Sequence, residues 1–186
     1  FNNKYFSKSI FKINLFIMPT AIVTHKDCIL HDTGMNHPES KERLIAINKT
    51  LKEFKSKKIK WFEGEKIEPK YFFTVHSKNY FKDIKNKSPK EDFFRIDADT
   101  ILSKHSLEAA LKATGSVCKA VDIIFEGKFR NAFCPIRPPG HHAEPQRAMG
   151  FCFFNNIAIA ANYAKLKYKI KKCAVIDFDV HHGNGT

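Results

Sequence analysis

The richest cluster of proton-handling and metal-ligating side chains in this 186-residue sequence is Asp177-Phe178-Asp179-Val180-His181-His182-Gly183-Asn184-Gly185-Thr186. Carboxylate and imidazole both ligate Zn²⁺. Asp177, Asp179 and His181 follow a period of two, so on an extended chain their side chains leave one face together. A buried strand ending in a polar turn is the plain alternative. Two acids and two histidines within six residues would be costly to bury without a metal or hydrogen-bonding partners, which favours metal binding. The glycines let the backbone turn sharply beside such a site.

A second cluster is Arg137-Pro138-Pro139-Gly140-His141-His142-Ala143. Two prolines stiffen the approach and Gly140 permits an unusual turn, so the paired imidazoles project from a fixed loop. Adjacent histidines near a metal suit acid–base work at neutral pH. A third run, Gly150-Phe151-Cys152-Phe153-Phe154-Asn155-Asn156, reads mostly as core, with Phe151 as one wall of a narrow slot.

Strand-like and helix-like segments alternate ahead of these clusters. Thr20–His25 predicts a strand. Asn36–Phe54 predicts a helix opened by His37-Pro38-Glu39-Ser40, with Leu44, Ile45, Ile47 and Leu51 at helical spacing. Tyr71–His76 predicts a strand. Ser106–Phe125 predicts a helix stopped by Gly127. Asn131–Ile136 predicts a strand, Asn155–Leu166 a helix, and Cys173–Val180 a strand that turns acidic at its carboxyl end. This alternation implies α/β architecture with a parallel sheet. In such sheets ligands bind past the carboxyl ends of strands, where the first two clusters fall.

RPPGHHA, then GFCFFNN, then DFDVHHGNGT resemble, in this order and spacing, the histone deacetylase family, including the acetylpolyamine amidohydrolases. Asn184 resembles the class II-like branch. His31-Asp32-x-Gly34-x-x-His37-Pro38-Glu39-x-x-x-Arg43-Leu44, Val75-His76-Ser77 with Tyr80, and Asp97-Ala98-Asp99-Thr100 extend the likeness over residues 20–186. The resemblance implies an arginase-like three-layer α/β fold with a mainly parallel central sheet, and Zn²⁺-dependent hydrolysis of an acetamide on a lysine side chain or a small amine. Carried over by position, Asp179 and His181 are zinc ligands. His142 is the general base and acid, partnered by Asn184. His141 assists electrostatically and is oriented by Asp177. Gly150 and Phe151 border the substrate tunnel, and Arg43 belongs to an internal product channel. Asp97 or Asp99 holds substrate backbone at the rim. The backbone around Asp177, Asp179 and His181 also resembles a K⁺ site.

The same resemblance places a third zinc ligand well after the HHG motif. The sequence is therefore expected to be the amino-terminal part of a catalytic domain, binding zinc weakly and hydrolysing little by itself. Residues 1–17 are expected to be an upstream leader or extension, with residues 18–186 the catalytic part.

Composition narrows the alternatives. The chain carries 32 Lys and Arg against 19 Asp and Glu, a net charge of +13. Residues 1–90 hold +10 of it and residues 91–186 hold +3. Only Arg43, Arg95, Arg130, Arg137 and Arg147 are arginines, so the excess is mostly Lys and a weak signal for nucleic acid. A second reading is a small-molecule amidohydrolase, and a third is a non-catalytic basic module. No apolar run reaches the ~18 residues of a membrane span. Five scattered cysteines without a C-x-x-C predict a reducing cytoplasm, or a nucleus in a eukaryotic source.

Overall fold

The computed structural model describes residues 19–186, and the expected leader lies outside them. Strand β1 (Thr20–Thr24) is the centre of a three-stranded sheet. It pairs in parallel with β2 (Ile59–Glu63) on one side and with β5 (Asn131–Phe133) on the other. Ala21 and Val23 of β1 are fully buried and pack on Ala120 and Ile123 of helix α4 (Ser106–Phe125). The predicted parallel α/β architecture is thus the one observed. Gly127 follows α4 at φ +78, where a side chain would be strained.

Helix α1 (Lys41–Glu53) begins later than its sequence suggested. His37-Pro38-Glu39 forms a non-helical approach and Ser40 is the cap residue, because the residue before a proline is pushed out of helical geometry. Of the apolar positions that suggested the helix, Leu44 is buried, whereas Ile45 and Ile47 are exposed.

Tyr71–His76 is not a strand. Pro69 opens a single helical turn, α2 (Pro69–Phe72), and Phe73 to His76 continue as turns. The aromatic and β-branched residues that read as a strand serve a helical core instead. Phe72 packs edge-on against Phe81 of α3 (Lys78–Lys87) and against Phe154. Helix α5 (Asn156–Tyr168) starts at Asn155, whose side chain accepts a hydrogen bond from the Ala158 N–H. An antiparallel pair not foreseen in the sequence, β3 (Phe93–Arg95) with β4 (Ile101–Ser103), presents the loop carrying Asp97 and Asp99.

Cys173–Val180 was expected to be a strand that turns acidic at its carboxyl end. It has no hydrogen-bonded neighbour strand among the described residues, and Ile176, Phe178 and Val180 are 87%, 97% and 92% exposed. β5 likewise ends at Phe133, before the predicted Ile136. No helix among the described residues is long and apolar enough to cross a membrane. All five cysteines are free thiols.

Two buried histidines couple the fold to pH. Burial, followed by the charge of Arg137, brings His31 down from 6.5 to about 3, and burial brings His76 to about 4. Both are neutral in the folded protein near neutrality, whereas the unfolded chain takes up these protons below about pH 6.5. The unfolded state therefore binds more protons as pH falls, and stability is lost from pH 6.5 downward to the folded values. Each imidazole costs about 1.4 kcal/mol per pH unit in that window. Urea unfolding at pH 7 and pH 5 checks this. A flat dependence, or an unchanged slope in a His76→Gln variant, would contradict it.

Candidate active site

The loop carrying His141 and His142 is built on a buried ion pair. Arg137 is 4% exposed and Glu39 likewise 4%. Its Nε and Nη2 donate to Glu39 Oε1 and Oε2 at 2.6 and 2.7 Å, and its Nη1 donates to the carbonyls of Cys28 and His31. This planar fork ties residues 28–39 to the start of the histidine loop. His31 completes the network, with Nδ1 2.7 Å from Ser106 Oγ at the start of α4. Beyond Arg137, Gly140 lies so close to the chain at Phe154–Asn156 that a Cβ would stand 2.6 Å from the Asn156 nitrogen.

The two imidazoles stand side by side, with ring centroids 4.1 Å apart, and each has its own partner. His141 Nδ1 is 2.9 Å from Asp177 Oδ2, and His142 Nδ1 is 2.7 Å from Asn184 Oδ1. One histidine is thus paired with a carboxylate and the other with a neutral amide. The hydrogen bond from His141 holds the Asp177 carboxyl below its ordinary range, reinforced by the Asp179 N–H. Asp179 is likewise lowered, first by the His181 backbone N–H and then by the His181 ring. Gly183 sits against the first pair: a Cβ there would be 2.4 Å from Asp177 Oδ2. Its role is close approach.

His141, His142, Asp179, His181, Gly150, Phe151, Asp99 and Arg43 all line one cavity of about 530 Å³. Gly150 takes φ +55, and a Cβ on it would stand 2.4 Å from His142 Cδ2, so only glycine lets this wall close on the imidazole. Phe151 also has positive φ, +69, and its N–H donates to Thr100 Oγ1. The Thr100 hydroxyl in turn donates to Asp99 Oδ1. His37 bridges the same two features. Its Nε2 is 3.0 Å from the Asp99 carbonyl oxygen, and its ring meets Phe151 edge-on at 4.8 Å.

The two rim acids separate. Asp99 lines the cavity, whereas Asp97 turns back on its own loop and accepts from the N–H groups of Asp99 and Thr100. Asp97 borders a different, smaller recess with Gln146 and Arg147.

Asp179 Oδ1 and His181 Nδ1 lie 3.0 Å apart, within hydrogen-bond distance of each other, and both residues face the cavity; a carboxylate and an imidazole are donor types that zinc accepts. No group of three or more His, Cys, Asp and Glu side chains poised for a metal occurs among the described residues. Cys152, beside Phe151, is no substitute ligand. It is fully buried and burial pushes its thiol up to about 12.

Sequence reading assigned no role to Glu39, Arg137, His37, His76, Thr100 or Glu144. The first five build the walls or hold the loops. Glu144 reaches the site itself, because its Oε1 accepts from Asn184 Nδ2 at 2.8 Å. Its position directly after His141-His142-Ala143 was the available signal.

Comparison with known proteins bears on the family and the fold. Residues 37–186 match the family model described as the histone deacetylase domain. A probable deacetylase of Archaeoglobus fulgidus is 36% identical over 91% of this chain and 47% of its own length. Type-2 histone deacetylase 2 of Dictyostelium discoideum is 35% identical over 90% of this chain and 12% of its own. The crystal structure of the HDA15 HD domain superposes with a TM-score of 0.83 at 32% identity, covering 91% of this chain and 49% of that one. The chain thus spans less than half the length of each of these relatives.

Proposed function

This chain belongs to the histone deacetylase family, and on that premise we propose that it carries the proton-transfer half of a zinc-dependent site that hydrolyses the acetamide of an acetylated amine. The observation that carries the reading is the convergence in one cavity of two partnered imidazoles, His141 with Asp177 and His142 with Asn184, beside Asp179 and His181.

Asp179 and His181 would hold the zinc, and a catalytic zinc would take a third protein ligand besides them. Zn²⁺ bound there supplies Lewis acidity toward the acetamide carbonyl and toward water. With Nδ1 engaged by Asn184, His142 offers Nε2 to the cavity. It takes a proton from the attacking water and returns it to the leaving amine nitrogen. His141, braced by Asp177, stands beside it as the electrostatic helper. Phe151 and Gly150 border the path of the acyl-amine chain, Asp99 meets substrate polar groups at the rim, and Arg43 lies on the same cavity for the released carboxylate. A K⁺ ion on the backbone around Asp177 and Asp179 would brace that segment.

The names of the relatives favour an acetylated substrate, with acetyl-lysine and small acetylated amines as the two candidates. The test is acetate release by the full-length polypeptide from an acetyl-lysine peptide and from acetylputrescine. Hydrolysis is expected to disappear on chelation, return with Zn²⁺, and be abolished by Asp179→Ala. The isolated 186 residues are expected to bind zinc weakly and to hydrolyse neither substrate measurably. Hydrolysis insensitive to chelator and to Asp179→Ala would overturn the reading.

A further inference from the structure

We propose that Glu144 is a positioning residue for the proton on His142, acting through the side-chain amide of Asn184. The inference rests on the reading of His142 as the base but concerns a different atom, the amide nitrogen. Asn184 is ambivalent: its Oδ1 accepts and its Nδ2 donates. Which end faces His142 decides which imidazole nitrogen carries hydrogen. Oδ1 against Nδ1 requires an Nδ1–H and leaves Nε2 with a free lone pair. Nδ2 against Nδ1 would demand a lone pair on Nδ1, move the hydrogen to Nε2, and leave no base facing the cavity.

The surroundings of Asn184 settle the choice. Its Nδ2 lies 2.8 Å from Glu144 Oε1. An ionised carboxylate accepts only, so it admits Nδ2 and repels Oδ1. The other neighbours of Nδ2 discriminate weakly: the His142 carbonyl oxygen and Met149 Sδ are both 3.4 Å away. The carboxylate at 2.8 Å is the one strong reason for the amide to point as it does.

Glu144 is itself well placed for this duty. Its N–H donates to the Arg147 carbonyl at 2.9 Å. Its carbonyl oxygen lies 2.9 Å from Nδ1 of buried His76, whose Nε2 accepts from the Asn155 N–H at the start of α5. His76 is thereby fixed as a donor to Glu144. The hydrogen-bond path runs from Asn155 through His76 and Glu144 to Asn184 and ends on His142 Nδ1. Glu144 does not line the 530 Å³ cavity, so it orients the base without touching substrate.

The experiment is ¹⁵N-histidine NMR at a pH where His142 is neutral, with its signals assigned by a His142→Gln variant. The wild-type protein is expected to show the Nδ1–H tautomer. Glu144→Ala should bring in the Nε2–H tautomer, and Glu144→Gln, which can accept from Nδ2 or donate to Oδ1, should give a mixture between the wild-type and Glu144→Ala patterns. In the hydrolysing full-length protein, Glu144→Ala should lower kcat roughly 10- to 100-fold, the range for losing an orienting partner behind a site residue. KM should stay within about twofold, because Glu144 lies outside the cavity. A Glu144→Ala protein that fails to fold leaves a second arm. Asn184→Asp alone would set two carboxylates against each other, and adding Glu144→Gln should recover the loss in kcat. A wild-type Nε2–H tautomer, a Glu144→Ala spectrum identical to wild type, or an Asn184→Asp variant indifferent to Glu144→Gln would each overturn the proposal. Tautomer coupling in a protein that hydrolyses no acetamide would still support the Glu144 relay and would sink only the hydrolase reading.

Discussion

Exchange of Arg137 for Met is expected to lower the unfolding free energy by about 3–5 kcal/mol, the range for stranding one member of a buried ion pair. The expectation follows from what the guanidinium satisfies. Glu39 is buried and both of its carboxylate oxygens are taken by Arg137. The carbonyls of Cys28 and His31 also lose their donor. Methionine fills much of the volume but offers no N–H, so a buried carboxylate and two carbonyls remain desolvated without partners. The remedy separates this account from mere loss of packing. Adding Glu39→Met removes the stranded charge, and replacement of a whole buried pair by apolar residues is often neutral or stabilising. The double variant should therefore recover at least half of what the single one loses in urea unfolding. A single variant that loses under about 1 kcal/mol, or a double variant worse than the single, contradicts it.

How far this arrangement could be read from sequence depends on the range of the interactions. Helix α4 was legible to the residue, because Leu107, Ala110, Leu111, Val117 and Val121 repeat at helical spacing and Gly127 stops the run. Tyr71–His76 was misread because Tyr, Phe and Val favour strands in isolation. Pro69, just upstream, carried the better local signal for a helical turn. Cys173–Val180 was misread for another reason. An apolar run predicts a strand only where another strand lies beside it, and none does among the described residues.

The site shows the same division. The histidines, the acids and Asn184 were legible because they cluster within two short runs of sequence. The sequence spacing of Asp97 and Asp99 could not assign their roles. The fold distinguishes their positions: Asp97 bonds back to the backbone of Asp99 and Thr100, whereas Asp99 lines the cavity. Glu39 with Arg137, and Glu144 with Asn184, are pairs between residues distant along the chain. Their chemistry lies in side-chain direction, which no periodicity encodes.

Replacement of His142 by Ala carries the largest expected effect on chemistry, a fall in kcat of about 100- to 10,000-fold in the full-length protein, the range for loss of a general acid–base group. Its neighbour His141 should matter less, although the two rings are only 4.1 Å apart. The difference lies in their partners. Asp177, kept ionised by its hydrogen bonds, gives His141 a negative charge to face. Asn184 gives His142 a neutral acceptor at 2.7 Å, which orients the ring without placing a charge beside it. A group that must take a proton and then surrender it is better served by the neutral partner. On the proposed ligation by Asp179 and His181, zinc affinity should be nearly unchanged in His142→Ala. The same affinity should fall steeply in Asp179→Ala. Parallel measurement of zinc binding and of kcat in His141→Ala, His142→Ala and Asp179→Ala separates the roles. Equal losses of kcat in the two histidine variants would refute the division of labour. A His142→Ala protein that loses its zinc would show instead that this imidazole serves the metal.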